Sequence, residues 1–292
     1  CTFNPLTVTY NAHGGVNKDG SNSPVTVSEM VYVVGEDVVT PAKHIVLAAD
    51  AENLGFKHEN GTFNSWKDSN GTKHTAGDVI TGITTSITLY AQWDKIWMGE
   101  GSANDPYQIS NAEKLTALQT QVNDKGFSYM GKYFALPANG TITLTGEWTP
   151  IGNDTATFSG NIEGNNATIN GLSVTRNDSA GLFRGLSPRG TTTYIRNLAI
   201  SGTATSTYGH AGGLAAGVAD GNITLSNITT NVAVSAPRGS AGGLIGYAGA
   251  PVGGARALYI KVVSCTNKGT ITGTTAGGIA GATDISNNAR SQ

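Results

Sequence analysis

Apolar and polar residues alternate in short runs along almost the whole chain. Leu6-Thr7-Val8-Thr9-Tyr10 and Ser86-Ile87-Thr88-Leu89-Tyr90-Ala91-Gln92-Trp93 have the period-two pattern of half-buried strands. Val31-Tyr32-Val33-Val34 and Asp37-Val38-Val39-Thr40 flank Gly35 like a hairpin or a bulge, and Asn60-Gly61 and Asn70-Gly71 are turn signals. A short helix is expected within residues 42–53. The period changes only once with conviction, where Leu115, Leu118 and Val122 fall at helical spacing. Ser110 precedes Glu113 by three, as in a capping box, and Lys125-Gly126 supplies a stop. From Tyr133 onward short strands return between glycine corners. They include Thr141-Ile142-Thr143-Leu144, Ala167-Thr168-Ile169, Leu172-Ser173-Val174, Ile195-Arg196-Asn197-Leu198-Ala199-Ile200, Ile223-Thr224-Leu225-Ser226-Asn227-Ile228 and Thr270-Ile271-Thr272. The pattern predicts a small β-rich domain over residues 1–95 and a second domain over 96–292. The turn-rich stretch from Asp94 to Asp105 joins them.

A repeat organises the second domain. Ala211-Gly212-Gly213-Leu214, Ala241-Gly242-Gly243-Leu244 and Ala276-Gly277-Gly278-Ile279 follow a looser copy, Ala180-Gly181-Leu182-Phe183. The steps between their alanines are 31, 30 and 35 residues, the size expected of a stacked solenoid. Coils of a parallel β-solenoid lie about 4.8 Å apart, so equivalent residues sit over one another. The glycine pairs are then expected to allow positive φ and close backbone approach. Phe183, Leu214, Leu244 and Ile279 are expected to form an inward column. Ser179, His210, Ser240 and Thr275 precede the four alanines and read as a polar ladder, which makes His210 a ladder member rather than a catalytic base. The lone helix, laid over the first coil, would block edge-to-edge aggregation.

Composition supports strands and turns. Of 292 residues, 40 are glycine and only 13% are charged, against roughly 25% in an average soluble domain. A net charge of -2 carries no nucleic-acid footprint. No apolar run reaches the roughly 18 residues of a membrane span. The chain starts at Cys1. A cysteine there resembles the lipidated N-terminus of a bacterial lipoprotein, which implies an anchor on Cys1; the alternative is that Cys1 only marks where the chain was cut. Cys265, the other cysteine, is expected to be buried and unpaired.

Chemistry-bearing patterns are scarce. There is no His-Glu-x-x-His, no Gly-x-Ser-x-Gly and no Gly-Lys-Ser/Thr loop ending. His13, His44, His58, His74 and His210 are scattered, so no catalytic, metal or cofactor site is assigned. Glycoside hydrolysis needs paired carboxylates. Glu147, Asp154, Glu163, Asp178, Asp220 and Asp284 form no close cluster in sequence, and Arg176, Arg184, Arg189 and Arg196 near Asp178 are a weak lyase signal. Trp66, Trp93, Trp97 and Trp148 could stack on sugars, but core packing is the stronger expectation, with Trp97 between the domains. Ligand contacts are expected in the loops at residues 153–157 and 184–192.

Two family resemblances sharpen this. Thr7-Val8-Thr9-Tyr10-Asn11, Gly14-Gly15, Gly55-Phe56, Trp66, Ala76-Gly77-Asp78-Val79-Ile80 and Thr88-Leu89-Tyr90-Ala91-Gln92-Trp93 resemble the internalin B-repeat (Listeria–Bacteroides repeat) family. His58-Glu59-Asn60-Gly61-Thr62 looks inserted relative to it. Gly181-Leu182-Phe183-Arg184-Gly185, Gly213-Leu214 with Gly217, Gly243-Leu244-Ile245-Gly246 and Gly278-Ile279-Ala280-Gly281 resemble the GLUG motif, as do Trp148-Thr149-Pro150-Ile151-Gly152 and the stretch from Phe158 to Asn165. Such repeats occur in bacterial surface adhesins and beside the catalytic unit of IgA-cleaving metallopeptidases, and carry no catalytic residues themselves. The resemblances imply a mainly β protein: a β-grasp-like module followed by a right-handed parallel β-helix capped by one α-helix. They imply an extracellular, outer-membrane lipoprotein, monomeric and non-catalytic, that binds or displays a glycan or protein. The alternatives are a polysaccharide-active lyase or hydrolase and a structural stalk or fimbria-like subunit.

Overall fold

The computed structural model describes residues 6–28, 34–35, 38–39, 42–249 and 258–284. The protein is mainly β, with one α-helix among the described residues. It divides into two compact units, Cys1–Ile96 and Trp97–Gln292. Cys1, the proposed anchor, lies outside the described residues.

In the first unit, alternation along Thr7–Asn11 and Ile87–Lys95 buries Val8, Tyr10, Leu89 and Ala91 on one face. These two strands pair in parallel at the centre of a five-stranded sheet. Val25–Ser28, Gly61–Asp68 and Lys73–His74 complete it by antiparallel pairing. Trp66 is fully buried, and its Nε1 donates to the Leu47 carbonyl at 2.8 Å. The expected hairpin about Gly35 is described only as Val34–Gly35 paired antiparallel with Val38–Val39.

The helix expected within residues 42–53 is absent. Ala42–Ile45 is a strand paired with Val79–Ile83, and turns closed by Ala51 N–H to Ala48 O and Leu54 N–H to Ala51 O follow it. The buried Tyr10 hydroxyl contacts His44 Nε2 and accepts the Leu47 N–H, pinning this segment in an extended form. The inserted residues make a tight turn: Asn60 N–H donates to His58 Nδ1, and the His58 ring packs on Trp93.

The second unit contains the helix Ala112–Asn123, which buries Leu115, Leu118 and Val122 as its spacing predicts. Its cap is Asn111 rather than Ser110, because the Asn111 side chain accepts the Lys114 N–H at 3.0 Å. Asn123 fastens the far end, accepting from Gly152 N–H and donating to the Pro150 carbonyl.

The unit's strands form two parallel sheets. In the larger, Asn161–Arg176, Thr192–Ser206 and Gly221–Gly242 lie side by side, with Tyr133–Ala135 and Thr141–Thr143 before them and Leu258–Val263, Thr266–Asn267 and Ile271–Gly277 after. In the smaller, Phe183–Leu186, Ala215–Val218, Ile245–Gly249 and Ala280–Asp284 follow in order. Equivalent residues therefore recur at the repeat spacing. Ala180 bridges Ala211, which pairs with Ala241, which pairs with Ala276. Inward columns such as Ile162, Ile195 and Leu225 are buried.

The register corrects two expectations about the repeat. Leu182, not Phe183, occupies the slot of Leu214 and Leu244, because Phe183 N–H bonds Leu214 O just as Ala215 N–H bonds Leu244 O; Phe183 pairs with Ala215. Ile279 ends this column and is only half-buried. The motif glycines also do not adopt positive φ. They are required for space: a Cβ on Gly212, Gly242 or Gly277 would lie 2.1, 1.8 or 1.9 Å from the carbonyl oxygen three residues on.

Positive φ is found instead at a column outside the Ala-Gly-Gly-Leu repeat. Asn165, Asn197 and Asn227 have φ of 51°, 56° and 53°, and Ser264 has 52°. Asn227 Nδ2 donates to Asn197 Oδ1 at 2.9 Å, and Asn197 Nδ2 to Glu163 Oε1 at 2.8 Å. Asparagine tolerates this conformation where other L-residues are strained. Asn227→Ala is expected to cost about 1–2 kcal/mol, whereas Asn227→Gly, which loses the ladder bond but no backbone freedom, costs less. Urea denaturation of the two variants checks the order.

Candidate functional site

The outward face of the larger sheet holds a hollow of about 200 Å³ lined by Tyr133, Asn161, Ile162, Glu163, Tyr194 and Arg196. Period-two alternation places it there. Phe134, Ile162 and Ile195 point into the core, so Tyr133, Asn161 and Tyr194 fall on the opposite face of adjacent strands. Asn161 is buried between its neighbours, accepting from Tyr194 N–H at 2.9 Å and donating to the Lys132 carbonyl at 3.1 Å. Tyr194 remains 42% exposed.

Two residues further along the same strands, Arg196 Nε donates to Glu163 Oε2 at 2.6 Å. Glu163 Oε1 accepts from Asn165 N–H and Asn197 Nδ2. Burial alone would raise the Glu163 pKa, but these hydrogen bonds and the Arg196 charge outweigh it and hold the carboxyl below its usual range. The hollow has no second carboxylate in its lining, so the pair required for glycoside hydrolysis is not assembled there.

The stretch expected to be a loop from 184 begins and ends in strands, Phe183–Leu186 and Thr192–Ser206, and from the first of these Arg184 reaches the expected loop at 153–157. Its Nη2 lies 2.6 Å from Asp154 Oδ1, and its Nε 3.3 Å from Asp178, which also takes Arg176 Nε at 2.8 Å. Burial pushes the Asp178 pKa up, and the Arg176 hydrogen bond and charge, with the charge of Arg184, bring it below normal. A carboxylate with a depressed folded-state pKa adds stability that is present above its unfolded value, about 4, and is lost as pH falls through the folded value. The midpoint of thermal unfolding is therefore expected to fall in acid below about pH 4, and less steeply in Asp178→Asn. A pH series of melts followed by circular dichroism tests this.

His210 takes its place in the polar ladder. Its Nδ1 accepts the Ser240 N–H at 3.2 Å, and Thr275 Oγ1 donates to Ser240 Oγ at 2.8 Å. Burial lowers its pKa, consistent with a neutral ring, and the ring stacks on Tyr247 at 4.7 Å. The tryptophans serve packing. Trp66, Trp97 and Trp148 are buried and Trp93 is half-buried. Within the second unit Trp97 packs against Tyr107, Tyr129 and Phe134, with Nε1 donating to the Lys114 carbonyl. Cys265 is free but only half-buried, and burial raises its pKa. It continues the column of Leu198 and Ile228 at the last described strands of the larger sheet, where fewer neighbours cover it. Among the described residues no cluster of three metal-ligating side chains occurs, and no helix is long and apolar enough to cross a membrane.

The hollow lies on strands, not in the loops where the sequence places ligand contacts. The usable signal was the outward aromatic at the same strand position, Tyr133 before Phe134 and Tyr194 before Ile195.

No protein-family model matches the chain. Halomucin of Haloquadratum walsbyi is 28% identical over 188 residues, which cover 59% of this chain and 2% of halomucin. The crystal structure of a candidate immunoglobulin A1 protease from Bacteroides ovatus aligns with a TM-score of 0.43 at 18% identity, over 66% of each chain. The chain thus spans a small fraction of the first protein and just under two thirds of the second.

Proposed function

We propose that this is a non-catalytic, cell-surface adhesion or ligand-display protein. In this reading the second unit is a right-handed parallel β-helix of the GLUG-motif kind, capped by its helix. The first unit is a β-grasp-like B-repeat spacer, and Cys1 is the lipid anchor on a bacterial outer membrane. The observation that carries the reading is the continuous parallel register, from Tyr133–Ala135 through Ile271–Gly277, which presents one outward polar face across successive strands. The parallel pairing of Thr7–Asn11 with Ile87–Lys95 suits the proposed first module. Against a glycan hydrolase acting at the hollow, Glu163 is the one carboxylate in its lining, and its partners hold its pKa below the usual range.

The test is an array of glycans and extracellular-matrix proteins probed with the full soluble chain. Saturable binding to members of one class is the expected result. Silence across the array, or release of reducing sugar or unsaturated product from a bound glycan, would overturn it.

A further inference from the structure

We propose that the hollow on the larger sheet is a binding site for a neutral oligosaccharide, with Tyr133 and Tyr194 as the ring platforms and Arg196 as the hydroxyl-binding group. This deepens the adhesion reading and rests on it.

The two tyrosines are separated by one intervening strand, that of Asn161. Two strand steps place their backbones about 10 Å apart, so one sugar can lie between the platforms while its neighbours in the chain cover them. Each ring offers an apolar face to sugar C–H groups and a hydroxyl at its rim. Neither hydroxyl has a protein partner among the described residues, and Tyr194 is 42% exposed.

Polar contacts come from Arg196. Its Nε is committed to Glu163, and its side chain is 55% exposed. Its two Nη groups take no protein partner among the described residues, which leaves a planar fork of donors for sugar hydroxyls. Asn161 does not compete for ligand: its amide is occupied on both sides by backbone groups and fixes the floor.

Charge selects the ligand class. Glu163 lies 2.6 Å from Arg196, so the site carries no net charge and does not favour an acidic polymer. Size points the same way. A volume of about 200 Å³ is below the roughly 300–1,000 Å³ of a drug-sized pocket. It is a dimple along a surface track, whereas a protein partner needs about 800 Å² of matched surface.

The experiment is isothermal titration of the full chain with cellohexaose and mannohexaose as neutral probes and hexagalacturonate as the acidic one. A neutral probe is expected to bind. Tyr194→Ala is expected to weaken it at least about tenfold, Tyr133→Ala to weaken it also, and Tyr194→Trp to retain it. Circular dichroism confirms that each variant is folded. Tighter binding of hexagalacturonate than of either neutral probe overturns the proposal, and so does neutral binding unchanged in Tyr194→Ala and Tyr133→Ala. Array binding that survives in the double variant sinks the hollow while leaving the adhesion reading intact. Silence of the unmodified chain in both the array and the titrations sinks both.

Discussion

Gly242→Ala should disrupt the second unit, at a cost of at least about 3 kcal/mol, while Gly217→Ala should be nearly neutral. Both glycines lie in parallel strands of the same stack, and neither has positive φ. They differ in what a methyl group would meet. At Gly242 the added carbon would lie 1.8 Å from Ile245 O and 2.7 Å from Gly281 N, both backbone atoms that cannot rotate away. At Gly217 the nearest atom is Arg184 O at 3.7 Å, an ordinary contact, and alanine would reduce the chain entropy lost on folding. Relief at Gly242 would require the backbone at Ile245 and the neighbouring strand at Gly281 to move off. The same clash recurs at Gly212 and Gly277, so opening one corner strains its neighbours. Urea denaturation followed by far-ultraviolet circular dichroism measures the difference. A Gly242→Ala cost below about 1 kcal/mol would show that the motif glycines are not there for space.

That pair of variants separates what the sequence could disclose from what it could not. Period and spacing disclosed the parallel register of the repeat copies, because a glycine-alanine step must recur wherever equivalent strands pair closely. They did not disclose why the glycine is needed, since positive φ and close approach leave the same letter in the chain. The shortened first copy departs from its letter alignment for a related reason. Alignment by letters set Phe183 against Leu214, whereas backbone hydrogen bonds set Leu182 there. In the first unit, residues 42–53 have acceptable helix formers, and a distant hydroxyl, that of Tyr10, decides for strand and turn. The candidate site was half legible. His210 was placed in its ladder from register alone. The hollow was not found, because it is built by lateral neighbours 33 and 61 positions apart, Asn161 with Tyr194 and Tyr133 with Tyr194, and only the pairing register brings them together.

Phe158→Ala is expected to cost the second unit about 3–5 kcal/mol, and the reason lies in how its first strands are closed. The Phe158 ring is fully buried, stacked on Phe183 at 5.2 Å and tilted against Phe134 at 5.9 Å. Phe134 in turn meets Tyr129 at 5.0 Å, Tyr107 at 5.4 Å and Trp97 at 5.4 Å. Trp97 reaches the helix through the Lys114 carbonyl. One aromatic chain therefore runs from the helix to the first repeat copy, and Phe158 is the link between its halves. Truncation would leave a cavity that the rigid rings on either side cannot fill, which places the cost toward the upper part of the range. Phe158→Leu restores most of the volume and should cost distinctly less. If the helix is tied to the sheets through this chain, hydrogen exchange in Phe158→Ala should rise at helix amides such as Leu118 and Val122 more than at Ile228 and Val234, in the later strand Gly221–Gly242. Equal acceleration at both places would mean that the unit opens only as a whole and that the aromatic chain is not a local seal.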